Sequence, residues 1–186
     1  MIVPVGYASA HGSTHEVAER IASGLEEAGH RVECHHLEDG DIGSPASRDA
    51  CVVGSAVHNR DWLPGARRWV ERYATELSRM PVWMFGVGMS RAPGHRVRAR
   101  AEQEQERRVV EALREVVRPV GHKVFSGEVH PDHLNPMGRT LFRAMGGRYG
   151  YHRDWSVVDA WTGSVAERLA ARRGRRASPG GGGGRG

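Results

Sequence analysis

Cysteine is nearly absent from this sequence: the chain has Cys34 and Cys51 and no others. Without a CxxC pair or zinc-ligand spacing, a disulfide framework and a structural zinc site are both excluded. Both cysteines fall in stretches that read as strands, so buried reduced thiols are expected, in keeping with a cytoplasmic protein. No window approaches the ~20 uninterrupted apolar residues of a membrane span. The first residues also lack the basic and long apolar regions of a secretory signal. No GxSxG is present to suggest a nucleophilic triad. "HPDH" at 130–133 reads as a turn, with too few spaced partners to suggest a metal site.

The body of the chain also lacks a charge excess. Of the formal net charge of +5, all five positive charges can be assigned to Arg172, Arg173, Arg175, Arg176 and Arg185, with no acid beyond residue 171. Residues 172–186, ending "RASPGGGGGRG", are therefore expected to form a disordered, basic, glycine-rich tail. A basic tail can attract nucleic acid, but a solvated extension is the expected role, and nucleic acid is not an expected partner. Oligomeric state has no signature in the sequence.

Short apolar runs alternate with helical periodicity. Ile2–Val5 precedes a helix striped by Val17, Ala18, Ile21, Ala22, Leu25 and Ala28 and ended by Gly29. "HRVECHHL" reads as a second strand, and "ACVVGSAV" as a third that is covered on both faces. A helix carrying Trp62, Ala66, Trp69, Val70, Tyr73 and Leu77 follows, with Pro64 in its first turn. "VWMFGVG" is a fourth strand, and Val109, Val110, Leu113, Val116 and Val117 stripe the next helix. "HKVFSGEV" is a fifth strand; Trp155, Val158, Trp161, Val165 and Leu169 mark a last helix, which Asp154 can cap. Strands separated by helices imply parallel crossovers. The expected fold is thus α/β, a doubly wound five-stranded parallel sheet with helices on both faces, over residues 1–171. Pro4 conflicts with this, because a central strand has no place for a residue without an N–H.

Ligands of such sheets bind beyond the carboxyl ends of the strands. At that edge stands "YASAHGSTHE", where Ser9, Ser13 and Thr14 surround Gly12 at the start of a helix. A helix N-terminus offers free amides and a dipole that favours an anion. The loop's spacing matches neither the triphosphate-binding GK[ST] pattern nor GxGxxG, and it offers no lysine, so a monophosphate is the best fit. The competing reading is that Ser13 or Thr14 merely caps the helix.

"YASAHGSTHEVAERIA" resembles the phosphate loop of the flavodoxin-like FMN-binding family. "GSAVHNRDWLPGARRWVERY", "RMPVWMFGVG" and "YHRDWSVVDAW" resemble the branch that contains the bacterial menaquinone-dependent protoporphyrinogen oxidase. The resemblance spans about residues 1–171. It implies FMN as cofactor, its phosphate held by Ser9, Ala10, His11, Gly12, Ser13 and Thr14. It further implies that Ser55, Ala56, Val57, His58, Asn59 and Trp62 touch the ribityl chain and one side of the ring. Gly88, Met89, Ser90 and Arg91 would line the other side.

His11 departs from the hydroxyl residue common in flavodoxins at its position, and the loop after the fourth strand lacks a stacking aromatic. Trp62 is as well suited to the core as to the flavin. No catalytic acid or base is assigned, and His58 is only a candidate.

Arginines without acids fill residues 91–100 and 134–153, where a substrate with carboxylates, such as a tetrapyrrole, would suit them. The stretch containing Leu134, Met137, Leu141, Phe142 and Met145 has the pattern of a short basic amphipathic helix. It could rest on the inner face of the cell membrane and meet a quinone, or it could pack on the sheet. The implied activity is oxidation of a reduced small molecule through FMN to a quinone. The alternative is a flavodoxin-type electron-transfer protein that serves a protein redox partner.

Overall fold

The computed structural model describes residues 1–38, 43–58, 61–88, 111, 113, 116–126 and 154–177. Five parallel strands form the sheet in the order β2-β1-β3-β5-β6: β1 (Ile2–Ala8), β2 (Arg31–His36), β3 (Cys51–His58), β5 (Val82–Gly88) and β6 (Gly121–Ser126). A two-residue strand, β4 (Asp61–Trp62), pairs antiparallel with the end of β3, with Val57 opposite Trp62 and His58 opposite Asp61. The helices are α1 (Ser13–Glu27), α2 (Pro64–Arg72), α3 (Ala74–Leu77) and α4 (Trp155–Ala177). None of the described helices is long and apolar enough to cross a membrane.

The register resolves the conflict at Pro4. Asp49 donates its N–H to the Ile2 carbonyl, and its carboxylate accepts the Ile2 N–H at 2.8 Å. Ile2 thus faces the β3 side of β1, and the strand alternation of two puts the missing N–H of Pro4 on that same side. There the ladder to β3 begins only at Val5, opposite Val52. The proline sits just ahead of the pairing it would have interrupted.

Apolar residues on alternate positions divide between two cores. On one face, α1 and α4 cover Val3, Val5, Val52, Trp83, Phe85 and Phe125. On the other, Trp69, Val70 and Leu77 join Cys51, Val53, Met84, Leu113 and Val117. Trp161 packs edge to face on Phe85 and Phe125, with centroids 6.3 and 5.6 Å away, and the two phenyl rings are tilted against each other at 6.2 Å. Phe85 also lies flat over Gly54, where a Cβ would fall 2.3 Å from its ring. Gly24 lets α1 approach α4 closely: a Cβ there would meet Thr162 at 2.8 Å. Arg20 and Asp159 join the same two helices through a forked pair at 2.7 and 2.9 Å.

Four expectations need correction. The helix expected from Trp62 through Leu77 is three elements, because Trp62 pairs in β4 and the backbone of Tyr73 (φ −106°, ψ 23°) separates α2 from α3. All six striped residues are nevertheless buried, so their spacing reported the face and missed the break. Cys34 is exposed on the edge strand β2, whereas Cys51 is fully buried. Ala28 is an exposed C-cap and not a core residue. The last helix continues to Ala177, so the helical region extends six residues past the expected start of the tail. Residues 178–186 lie outside the described set.

Candidate functional site at the opening helix

The chain order reverses between β1 and β3, which makes the carboxyl ends of these strands the place for a ligand. Helix α1 opens there in an unusual way. Its N-cap is Gly12, in the left-handed region at φ +85°, and no side chain caps it. Neither Ser13 nor Thr14 serves as the cap, which removes the competing reading of these hydroxyls. An α-helix leaves its first-turn N–H groups without intrahelical partners, and here they face the sheet edge with the positive end of the helix dipole behind them.

Thr14 adds the most telling atom. The residue is fully buried, yet its hydroxyl oxygen has no hydrogen-bond partner. Burying an unpaired hydroxyl costs about 1–3 kcal/mol, and a phosphate oxygen at the helix mouth would supply the missing partner. Ser9 is half-buried and already oriented: its N–H donates to His36 Nε2 at 3.3 Å, and its hydroxyl accepts the Gly12 N–H at 3.0 Å. Ala10, His11 and Gly12 are exposed, and Ser13 is half-buried on the first turn. The six residues expected to hold a phosphate run contiguously from the end of β1 into the first turn of α1.

The second expected group behaves differently. Ser55 is fully buried, and its hydroxyl donates to the Ala56 carbonyl at 2.9 Å while accepting the Leu63 N–H at 2.9 Å. It staples the β3–β4 hairpin to the start of α2. Trp62, 3% exposed, belongs to the second core and presents no ring face to a ligand. Ala56 and Val57 are half-buried at the end of β3, and His58 pairs through its backbone with Asp61. Gly88 closes β5 at the same edge, and a Cβ there would meet nothing within 4 Å. Asn59, Met89, Ser90 and Arg91 lie outside the described residues, as do the arginine-rich stretches 91–100 and 134–153 and the "HPDH" turn.

Three contributors escaped the sequence reading. His36 holds Ser9, and Tyr7 hydrogen-bonds His15 Nδ1 at 2.6 Å. Glu38, just beyond β2, accepts the Gly65 N–H at 2.7 Å and so caps α2 from across the fold. Their signal in the sequence was only that strand ends of an open sheet collect side chains at one edge. The described residues bring together no cluster of histidine, cysteine and acidic groups able to hold a metal. Neither thiol is poised to react: partial desolvation, then Glu19 and Glu26, push Cys34 up to about 11, and burial pushes Cys51 up to about 12.

A five-stranded parallel sheet in this order, with an anion cradle after its first strand, defines the flavodoxin-like class. Residues 4–154 match the flavodoxin domain family, and the chain belongs to it. No functionally curated protein matches the sequence. Among solved structures, an archaeal flavodoxin is similar at 16% identity and a TM-score of 0.56, the match covering 91% of this chain and 99% of that one. A WrbA-like flavodoxin from Agrobacterium tumefaciens is similar at 13% identity and a TM-score of 0.56, over 91% and 98%. Rubredoxin oxygen:oxidoreductase from Desulfovibrio gigas matches at 16% identity and a TM-score of 0.55, over 91% of this chain but only 36% of that one. As in other flavodoxin domains, the cofactor is FMN, and the uncapped helix with its unpaired Thr14 hydroxyl fits the phosphate end of that molecule.

Proposed function

We propose that this protein is an FMN-dependent oxidoreductase that takes electrons from a reduced small molecule and passes them to a quinone. The substrate class we favour is a tetrapyrrole with carboxylate side chains, as in the menaquinone-dependent protoporphyrinogen dehydrogenation of haem biosynthesis. The observation that carries the FMN part of this reading is the fully buried, unpartnered Thr14 hydroxyl at an uncapped helix mouth. FMN supplies the two-electron chemistry when bound, and the chain's part is to grip its phosphate and orient the ring. In support of an acidic substrate, residues 91–100 carry four arginines and no acid, and residues 134–153 carry four more. Arginine forks suit carboxylates. The amphipathic pattern of 134–145 would bring the protein to a lipid surface, where quinones reside.

A second reading is an electron-transfer protein without a substrate of its own. What favours it is size: the match to the archaeal flavodoxin takes in 91% of this chain and 99% of that one, so little of this chain falls outside the span of a plain flavodoxin. Anaerobic mixing of the FMN-loaded protein with protoporphyrinogen separates the two. Bleaching of the flavin absorbance by the tetrapyrrole, and its return on adding a menaquinone analogue, is the expected result. A flavin that stays oxidised with the tetrapyrrole but accepts electrons from a reductase protein would replace the enzyme reading with the carrier reading.

A further inference from the structure

Three aromatic rings from three different elements meet beneath the phosphate loop. Tyr7 on β1 and His36 on β2 are register partners, with centroids 5.1 Å apart and planes tilted by 44°. On its other side Tyr7 packs against His15 of α1, at 5.3 Å between centroids and 2.6 Å between its hydroxyl and Nδ1. Glu19, one turn further along α1, approaches His15 Nε2 at 3.5 Å. A helix N-terminus can bind a phosphate without any such cluster, so what the rings add is to be sought in how they hold the loop.

Their link to the loop is specific. His36 Nε2 accepts the Ser9 N–H at 3.3 Å, and the Ser9 hydroxyl in turn accepts the Gly12 N–H at 3.0 Å. Gly12 is the residue whose left-handed backbone opens α1. The bonds therefore run in one line, from the ring cluster through Ser9 to the N-cap. Between Ser9 and Thr14 the loop is otherwise exposed or half-buried, with Ala10, His11 and Gly12 open to solvent. A short exposed loop binds well only if something holds it in the bound shape beforehand.

We propose that His36 is a positioning residue of the phosphate site: its Nε2 lone pair anchors Ser9, and through Ser9 sets Gly12 so that the first amides of α1 face the ligand. The inference rests on the reading of this loop as the FMN phosphate site. For Nε2 to accept, the neutral ring must carry its proton on Nδ1. His36 acts on the loop and not on the flavin, so its effect belongs to the phosphate end of the ligand alone. FMN affinity depends on it, and riboflavin affinity does not.

Two substitutions separate an acceptor role from a packing role. His36→Phe keeps a ring against Tyr7 and removes the acceptor, while His36→Gln keeps an acceptor and removes the ring. Titration by flavin fluorescence quenching should show His36→Phe binding FMN roughly fivefold to tenfold more weakly, the scale of one lost hydrogen bond. His36→Gln should recover most of that loss, and riboflavin should bind all three proteins alike. A purely structural role predicts the reverse order, with Phe tolerated and Gln impaired, and would overturn the proposal. In the ligand-free wild type, nitrogen NMR of the imidazole should show the Nδ1–H tautomer. The Ser9 amide proton should move upfield in His36→Phe but not in His36→Gln. An Nε2–H tautomer, or an unmoved Ser9 amide, would overturn it as well. Equal affinity of the wild type for FMN and riboflavin would instead fail the phosphate-site reading. The tautomer and amide readouts keep that failure distinct from failure of the His36 bond.

Discussion

The two ends of α1 are each marked by a glycine with nearly the same backbone angle, φ +85° at Gly12 and +81° at Gly29, yet they are finished in opposite ways. At the C-terminal end the chain closes on itself. Gly29 donates to the Glu26 carbonyl at 2.8 Å and His30 donates to the Leu25 carbonyl at 3.1 Å, the paired bonds of a Schellman motif. At the N-terminal end no side chain fills the cap, and the Thr14 hydroxyl is buried without a partner. A glycine can therefore finish a helix or open it. What separates the cases is whether the chain supplies partners for the terminal groups, and a terminus left without them is where a ligand belongs.

That contrast can be broken most severely by closing the open end. Ser13→Asp places a carboxylate in the first turn, where it favours the helix dipole by about 0.3–1 kcal/mol and repels a phosphate. FMN affinity should fall roughly 100-fold, since like charges in contact cost several kcal/mol, while the ligand-free protein gains stability in urea. Loss of stability together with loss of affinity would mean that Ser13 is structural. The converse change is Gly29→Ala, which forces a Cβ into the left-handed region at a cost of about 1 kcal/mol. Chemical denaturation should register that cost, and FMN affinity should not change. A tenfold weaker FMN complex in this variant would show that the two ends are not independent.

The smallest effect is one of pH. His30, buried beside the closed end, is held below the usual imidazole value of 6.5 by desolvation first, then by the N-terminal amine and Arg173. Between 6.5 and its lower folded value the unfolded chain binds more protons, so stability declines as pH drops through that interval. Urea unfolding at several pH values should show this decline. His30→Gln should flatten it and leave FMN affinity as it was. A slope unchanged in that variant would assign the proton uptake to another group.

The fold was more legible than the site, for a physical reason. Apolar spacing records which face a residue buries, so "VWMFGVG" coincides with β5 and every residue of the Trp62–Leu77 stripe is buried. The same spacing is blind to a change of element that preserves the face. That is why β4 and the break at Tyr73 were read as one helix. Pro4 looked like an error until the register showed which edge it faces.

At the site, local composition singled out the loop because its donors are contiguous in sequence. Ser55 shows the limit of that approach. Its hydroxyl is as available on paper as that of Ser9, but Leu63, eight residues away, has taken it. His36 was missed for the complementary reason, since its bond to Ser9 spans 27 residues and exists only once β2 pairs with β1. Residue type announces a donor or an acceptor, and only the completed pairing tells whether it is already in use.

The central claim is that the open mouth of α1 binds a phosphate monoester, and a direct comparison of FMN with riboflavin on the wild-type protein tests it. Calorimetric titration should give FMN an affinity at least 100-fold above that of riboflavin, the scale expected for a phosphate held by several charge-assisted bonds. Riboflavin binding as tightly as FMN would contradict the claim, because the grip would then lie on the ring and the free helix terminus would have no ligand to explain it.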